Sequence, residues 1–219
     1  MTHSLSIQPQ RLADALLALG RIGSYLDEGS GLWGVSRLAL TAADGEGRHH
    51  VIAKMQALGL QITVDRIGNV YARRRGREDS LAPVMMGSHI DSVPTAGRFD
   101  GCLGVLGALE IIETLDAAQH LTRRPIVVAF FTEEEGARFG TDMLGSAVAT
   151  GRIPIETAYA LHDRSGLTVA AELRKLGFLG EAEELLPPPH AYLECHIEQG
   201  PVLRRRNLDV GVVTGVQAI

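Results

Sequence analysis

With 219 residues, 45% of them hydrophobic, the chain can bury the core of one domain, or of one domain plus a small piece of another, and it is not a disordered polypeptide. A formal charge of −5, with acids and bases mixed along the chain, offers no extended basic face for nucleic acid or an anionic membrane, and the short arginine runs at 73–75 and 204–206 read as solvated loop residues. The start MTHSLSIQPQ lacks the layout of a signal peptide, no apolar run is long enough to span a bilayer, and two cysteines without CxxC spacing, Cys102 and Cys195, are too few for a disulfide framework, so the expectation is a cytoplasmic protein with small, buried cysteines.

In chain order, helical spacing of Leu, Val, Ile and Met marks residues 11–23 and 47–59, the second closed by Gly59. Residues 60–76 (LQITVDRIGNVYARRRG) alternate and turn at Gly68-Asn69, which predicts two neighbouring strands. A short apolar run at 82–91 (APVMMGSHID) ends in polar residues and leads into a long apolar helix over 101–118. Residues 124–132 (RPIVVAFFT) repeat the plan as a buried strand, followed by an acidic loop and a helix near 142–150. An amphipathic helix is predicted over 166–177, a linker at 186–190 (LPPPH), and strands at 191–200 and 208–216. Strands alternating with helices predict an α/β layered sheet.

In such sheets a site forms outside the carboxyl ends of the strands. That rule gathers His89 and Asp91, then Asp100 from the following loop, then Glu133, Glu134 and Glu135, and finally His196, Glu198 and Gln199. Imidazole with carboxylate suits zinc and its first-row neighbours. So many carboxylates around one cation would leave excess negative charge; two cations bridged by one carboxylate, roughly 3.5–4 Å apart in two-metal hydrolases, would neutralise it. Asp91, two residues after His89, is placed either to accept the free ring N–H of His89 or simply to serve a turn. Consecutive glutamates leaving a strand point in different directions, so one can ligate while its neighbour stays free as a proton acceptor; the plainer alternative is an acidic loop capping the next helix.

Three blocks, GSHIDSVPTAGRFDGCLGVLGALE (87–110), FFTEEEGARFG (130–140) and YLECHIEQGPVL (192–203), resemble the signatures of the hydantoinase/carbamoylase group of binuclear-metal amidohydrolases. This group includes N-carbamoyl-L-amino acid hydrolases, β-ureidopropionases and allantoate amidohydrolases, and weaker similarity extends over nearly the whole chain. The resemblance implies a zinc-peptidase-like α/β catalytic domain with a mixed, mostly parallel sheet flanked by helices. It implies two divalent ions, zinc or else manganese, cobalt or nickel. His89 and His196 would hold one, Asp100 would bridge, and Glu135 would hold the second. Glu134 would be the general base, Asp91 would orient His89, and Gln199 would face a small ureido substrate, while Glu133 stands where asparagine is usual and stays outside the ligand set. Aminoacylases and peptidases of the same clan differ, with a carboxylate where His196 stands.

Members of the group are much longer, with an inserted lid and dimerisation domain through which they form homodimers, and a later segment that supplies a last histidine to the second metal. The resemblance therefore implies that residues 1–211 form the first segment of the catalytic domain and 212–219 begin the lid. It also implies that the second metal site is weak and activity impaired, the chain being either a catalytic-domain fragment or a naturally short, non-catalytic metal-binding or oligomerising protein.

Overall fold

The computed structural model describes residues 5–183 and 186–215. In chain order the elements are α1 (Pro9–Leu19), the hairpin β1 (Ser24–Leu26) and β2 (Trp33–Val35), α2 (Ala42–Ala57), β3 (Gln61–Val64), β4 (Val70–Arg74) and β5 (Val84–His89). There follow α3 (Cys102–Ala117), β6 (Ile126–Phe131), α4 (Leu144–Ala149), α5 (Ile155–Ala160), α6 (Val169–Leu176), β7 (Ala191–Leu193) and α7 (Val202–Arg206). The main sheet has the order β3-β4-β6-β5-β7; β5 runs parallel to β6 and β7, and β4 runs antiparallel to β3 and β6. Four strands thus share one direction, and β4 alone opposes them.

The sequence explains the centre of this sheet. β6 (IVVAFF) is buried along nearly its whole length and β5 along its second half, as strands inside a covered sheet must be. The crossover between them, α3, buries nine residues including Val105, Leu106, Leu109 and Ile112. Close approach needs glycine here: a Cβ at Gly87 would lie 2.0 Å from the Ala129 carbonyl oxygen of β6, and one at Gly104 would lie 2.8 Å from Ser88 Cβ. The larger apolar cluster unites one face of the sheet with residues of α1 to α6. A smaller cluster of Tyr71, Met85, Val127 and Ala129 occupies the other face and contains no helical residue.

Several expectations change. The strand predicted at 191–200 shrinks to Ala191–Leu193, and residues 208–215 form no strand; residue 216 and the rest of the piece to 219 lie outside the described residues. Val210, Val212 and Val213 are exposed and find no neighbouring strand among the described residues, without which β-branched composition has nothing to act on. Cys102 is buried as expected, but Cys195, on the sheet edge after β7, is exposed. Arg73 and Arg74 lie within β4 and pair with Asp79 and Asp116 instead of facing water alone. The hairpin β1–β2 and helices α5 and α7 add to the elements foreseen.

Candidate metal centre

The carboxyl ends of β5 and β6 and the segment after β7 meet at one edge of the sheet. His89, the last residue of β5, is 1% exposed. Its Nδ1 lies 3.0 Å from the Asp91 carbonyl oxygen and 3.6 Å from the Asp91 carboxylate. The ring is therefore oriented by Asp91, through the backbone more closely than through the side chain. The Asp91 carboxylate is engaged elsewhere: Oδ1 accepts the Glu134 N–H at 3.3 Å and Oδ2 the Glu135 N–H at 3.2 Å. One buried aspartate thus fixes both the imidazole of β5 and the two glutamates after β6.

His196 repeats the arrangement. Its Nδ1 lies 2.9 Å from the Ile197 carbonyl oxygen, leaving Nε2 turned to Asp100 Oδ1 at 3.1 Å. The two imidazoles stack with centroids 6.0 Å apart, and His89 Nε2 stands 3.8 Å from Asp100 Oδ1 and 3.4 Å from Glu134 Oε2. Both rings give Nδ1 to a backbone carbonyl and present Nε2 to the same carboxylate. Ligand atoms of His89, Asp100 and His196 all lie within 4.8 Å of one another. Gln199, held at φ 49°, donates its amide to Asp100 Oδ2.

Glu135 is not part of that three-residue group. Its Oε1 is buried and accepts no hydrogen bond from the described residues, and burial raises its carboxyl to about 7. Burial likewise raises Glu134, against the pull of His89. For His89, burial opposes the charged form, but Asp91, Glu134 and Glu135 outweigh it and raise the ring to about 9. Asp100 raises His196 to about 9, and His196 in turn holds Asp100 below the usual carboxylate range. Imidazoles and carboxylates here compensate one another's charge. Two Nε2 atoms turned to a shared carboxylate fit a divalent first-row ion.

Residues without a foreseen task also appear. Glu133 is 1% exposed with φ 52°, and its Oε1 accepts the N–H groups of Arg138 and Phe139 at 3.1 and 2.7 Å. It shapes the loop that presents Glu134 and Glu135. Arg138 ties that loop to the body through Asp163, Glu172 and the carbonyls of Ala39 and Leu40. Glu198 accepts the N–H groups of Val202 and Leu203 and so starts α7. Glu194, two residues before His196, bonds Ser88 and Tyr192. The run of acidic residues and the spacing Glu194–His196 were the available signals.

An α/β sheet whose strand ends hold two imidazoles, a shared carboxylate and adjacent glutamates offers the donor set of a divalent-metal site. Comparison with known proteins is specific. A profile of peptidase family M20/M25/M40 matches residues 85–217, and the chain belongs to that family. It is 41% identical over 213 residues to an N-carbamoyl-L-amino-acid amidohydrolase of Rhizobium meliloti, covering 97% of this chain and 50% of the relative. It is 35% identical over 193 residues to an Arabidopsis thaliana ureidoglycolate hydrolase, covering 84% of this chain and 40% of that one. Among solved structures, a hydantoinase/carbamoylase family amidase from Burkholderia ambifaria superposes with a TM-score of 0.87 at 43% identity, over 93% of this chain and 49% of the amidase. The chain spans about half the length of the curated relatives it matches. Among the described residues no helix is long and apolar enough to cross a membrane.

Proposed function

We propose that this chain provides the metal-binding part of an amidohydrolase that cleaves the C–N bond of a small linear ureido substrate, of the N-carbamoyl amino acid or allantoate kind. The observation that carries the reading is the convergence of His89, Asp100 and His196 within 4.8 Å, with Glu134 beside them; the family membership and the names of the relatives support it. His89, Asp100 and His196 would hold one divalent ion, and Asp100 with Glu135, which lies outside that three-residue group, would hold a second, weaker one. When bound, such ions supply Lewis-acid polarisation of a carbonyl oxygen and a lowered pKa for water.

Glu134 takes the proton of the attacking water and passes it to the departing nitrogen, its burial favouring proton uptake. Asp91 holds Glu134, Glu135 and His89 in register. Gln199, whose amide donates to Asp100, would turn that amide to the ureido group. The products are the free amine and a carbamate that decomposes to carbon dioxide and ammonia.

Zinc titration of the full chain is expected to show one tight ion, lost in His89→Ala and in His196→Ala, and a second at least about tenfold weaker. Ammonia release from N-carbamoyl amino acids or allantoate, with added manganese, cobalt or zinc, is expected to be low, because the second ion is held weakly, and to be lost in Glu134→Gln while tight zinc binding persists. Tight binding unaffected by loss of either histidine would sink the metal assignment; turnover that survives Glu134→Gln would remove Glu134 from its role.

A further inference from the structure

The ladder that joins β5 to β7 is short. Val84, Met85 and Met86 pair with Ala191, Tyr192 and Leu193, and the pairing ends there. His89 and His196 both lie three residues beyond the last pair, so the same register carried onward would set them opposite each other, and their rings do stack. Yet the backbone no longer enforces this, because residues 194–198 form no strand and β7 is an exposed edge. Edge segments with few buried contacts open readily.

A side-chain bridge spans the gap. Ser88 Oγ, on a residue 2% exposed, donates to Glu194 Oε1 at 2.5 Å. The Tyr192 hydroxyl donates to Glu194 Oε2 at 2.8 Å and stands 3.2 Å from the Gly87 carbonyl oxygen. The seam is closed from α3 as well, since a Cβ at Gly104 would lie 2.9 Å from the Cys195 carbonyl oxygen. Glu194 thus joins Ser88, which precedes His89, to the segment that carries His196.

We propose that Glu194 is a positioning residue: clamped by Ser88 and Tyr192, it continues the β5–β7 pairing in side-chain form and holds His196 Nε2 across from His89 Nε2. The inference rests on the metal-centre reading above. Groups that orient metal ligands from behind commonly contribute 10- to 100-fold in affinity.

The test is zinc titration of the full chain carrying Glu194→Gln, Glu194→Ala, Ser88→Ala, or Ser88→Ala with Glu194→Ala, each checked for its metal-free melting temperature. Glu194→Ala is expected to weaken zinc about 10- to 100-fold. Glu194→Gln, which keeps the shape and one acceptor, should weaken it less. The double variant should be no weaker than Glu194→Ala alone, because both changes break one bridge. In the metal-free protein, the imidazole nitrogen resonances of His196 should shift in Glu194→Ala, a change that a general loss of stability below the melting temperature does not produce. Zinc affinity within threefold of wild type in Glu194→Ala, alongside loss of binding in His196→Ala, overturns the positioning role and leaves the metal centre standing. Additive losses in the double variant also overturn it. No zinc binding by the unaltered chain overturns both.

Discussion

Arg48 is a charged side chain at 0% exposure, and it holds three parts of the molecule at once. It bonds Asp44 on its own helix at 2.8 Å, the Gly68 carbonyl of the β3–β4 turn at 2.7 Å and Thr132 Oγ1 at 3.1 Å, one residue before the glutamates. Its guanidinium also lies over the rings of Phe130 and Phe178. Removing it strands Asp44, whose carboxyl burial already raises. Arg48→Met is therefore expected to destabilise by about 3–5 kcal/mol, and Asp44→Asn with Arg48→Met by less than the sum of the single changes. Urea unfolding would decide; a loss under about 1 kcal/mol would show that the network is not coupled. At this scale the convergence was legible, since reading polar residues at strand ends gathers His89, Asp100 and His196, which the structure brings together. The task of Glu133 was not, because accepting two loop N–H groups depends on a backbone path that residue identity does not reveal. For the same reason it was not legible that Asp91 reaches His89 more closely through its carbonyl than through its carboxylate.

At the scale of elements, the joint between β5 and α3 is the most constrained. Gly101 precedes α3 at φ 62°, and a Cβ there would lie 2.5 Å from Cδ2, Cε1 and Nε2 of His89. Gly101→Ala is thus expected to cost about 1–2 kcal/mol in backbone strain and, more, to push the imidazole off its position. Zinc affinity should fall at least about tenfold, as for loss of an orienting group. Circular dichroism with zinc titration would check this, and a variant that binds zinc like wild type would mean that the ring has room to move. β5, α3 and β6 were legible because long apolar runs leave few alternatives. The three-residue strands β1 and β2 were not, being shorter than any window in which a period shows. Residues 208–215 misled in the other direction, their valines having composition for a strand but, among the described residues, no neighbour to pair with.

Across the whole molecule, helices cover one face of the sheet and the site lies at the carboxyl edge, so stability and site geometry draw on the same elements. The alternation of strands and helices was enough to foresee an α/β layered sheet; the turn at Gly68-Asn69 explains the β3–β4 pairing, but nothing local reveals that β4 lies antiparallel against β6. Asp65 governs that turn. It is 0% exposed and accepts bonds from the Ile67 and Asn69 N–H groups, the Asn69 amide and the Tyr71 hydroxyl. Burial nevertheless raises its carboxyl to about 7. In the unfolded chain it titrates near ~4, so between the two values the folded state keeps a proton that the unfolded state has released. Its contribution is fully present below about pH 4 and is lost as the pH rises through about 7. The stability of wild type relative to Asp65→Asn should therefore decline by roughly 2–4 kcal/mol between those limits. Urea midpoints for both proteins measured from pH 4 to pH 8 would show it. Parallel curves would mean that the four donors keep Asp65 charged throughout, and that the turn is held by a carboxylate.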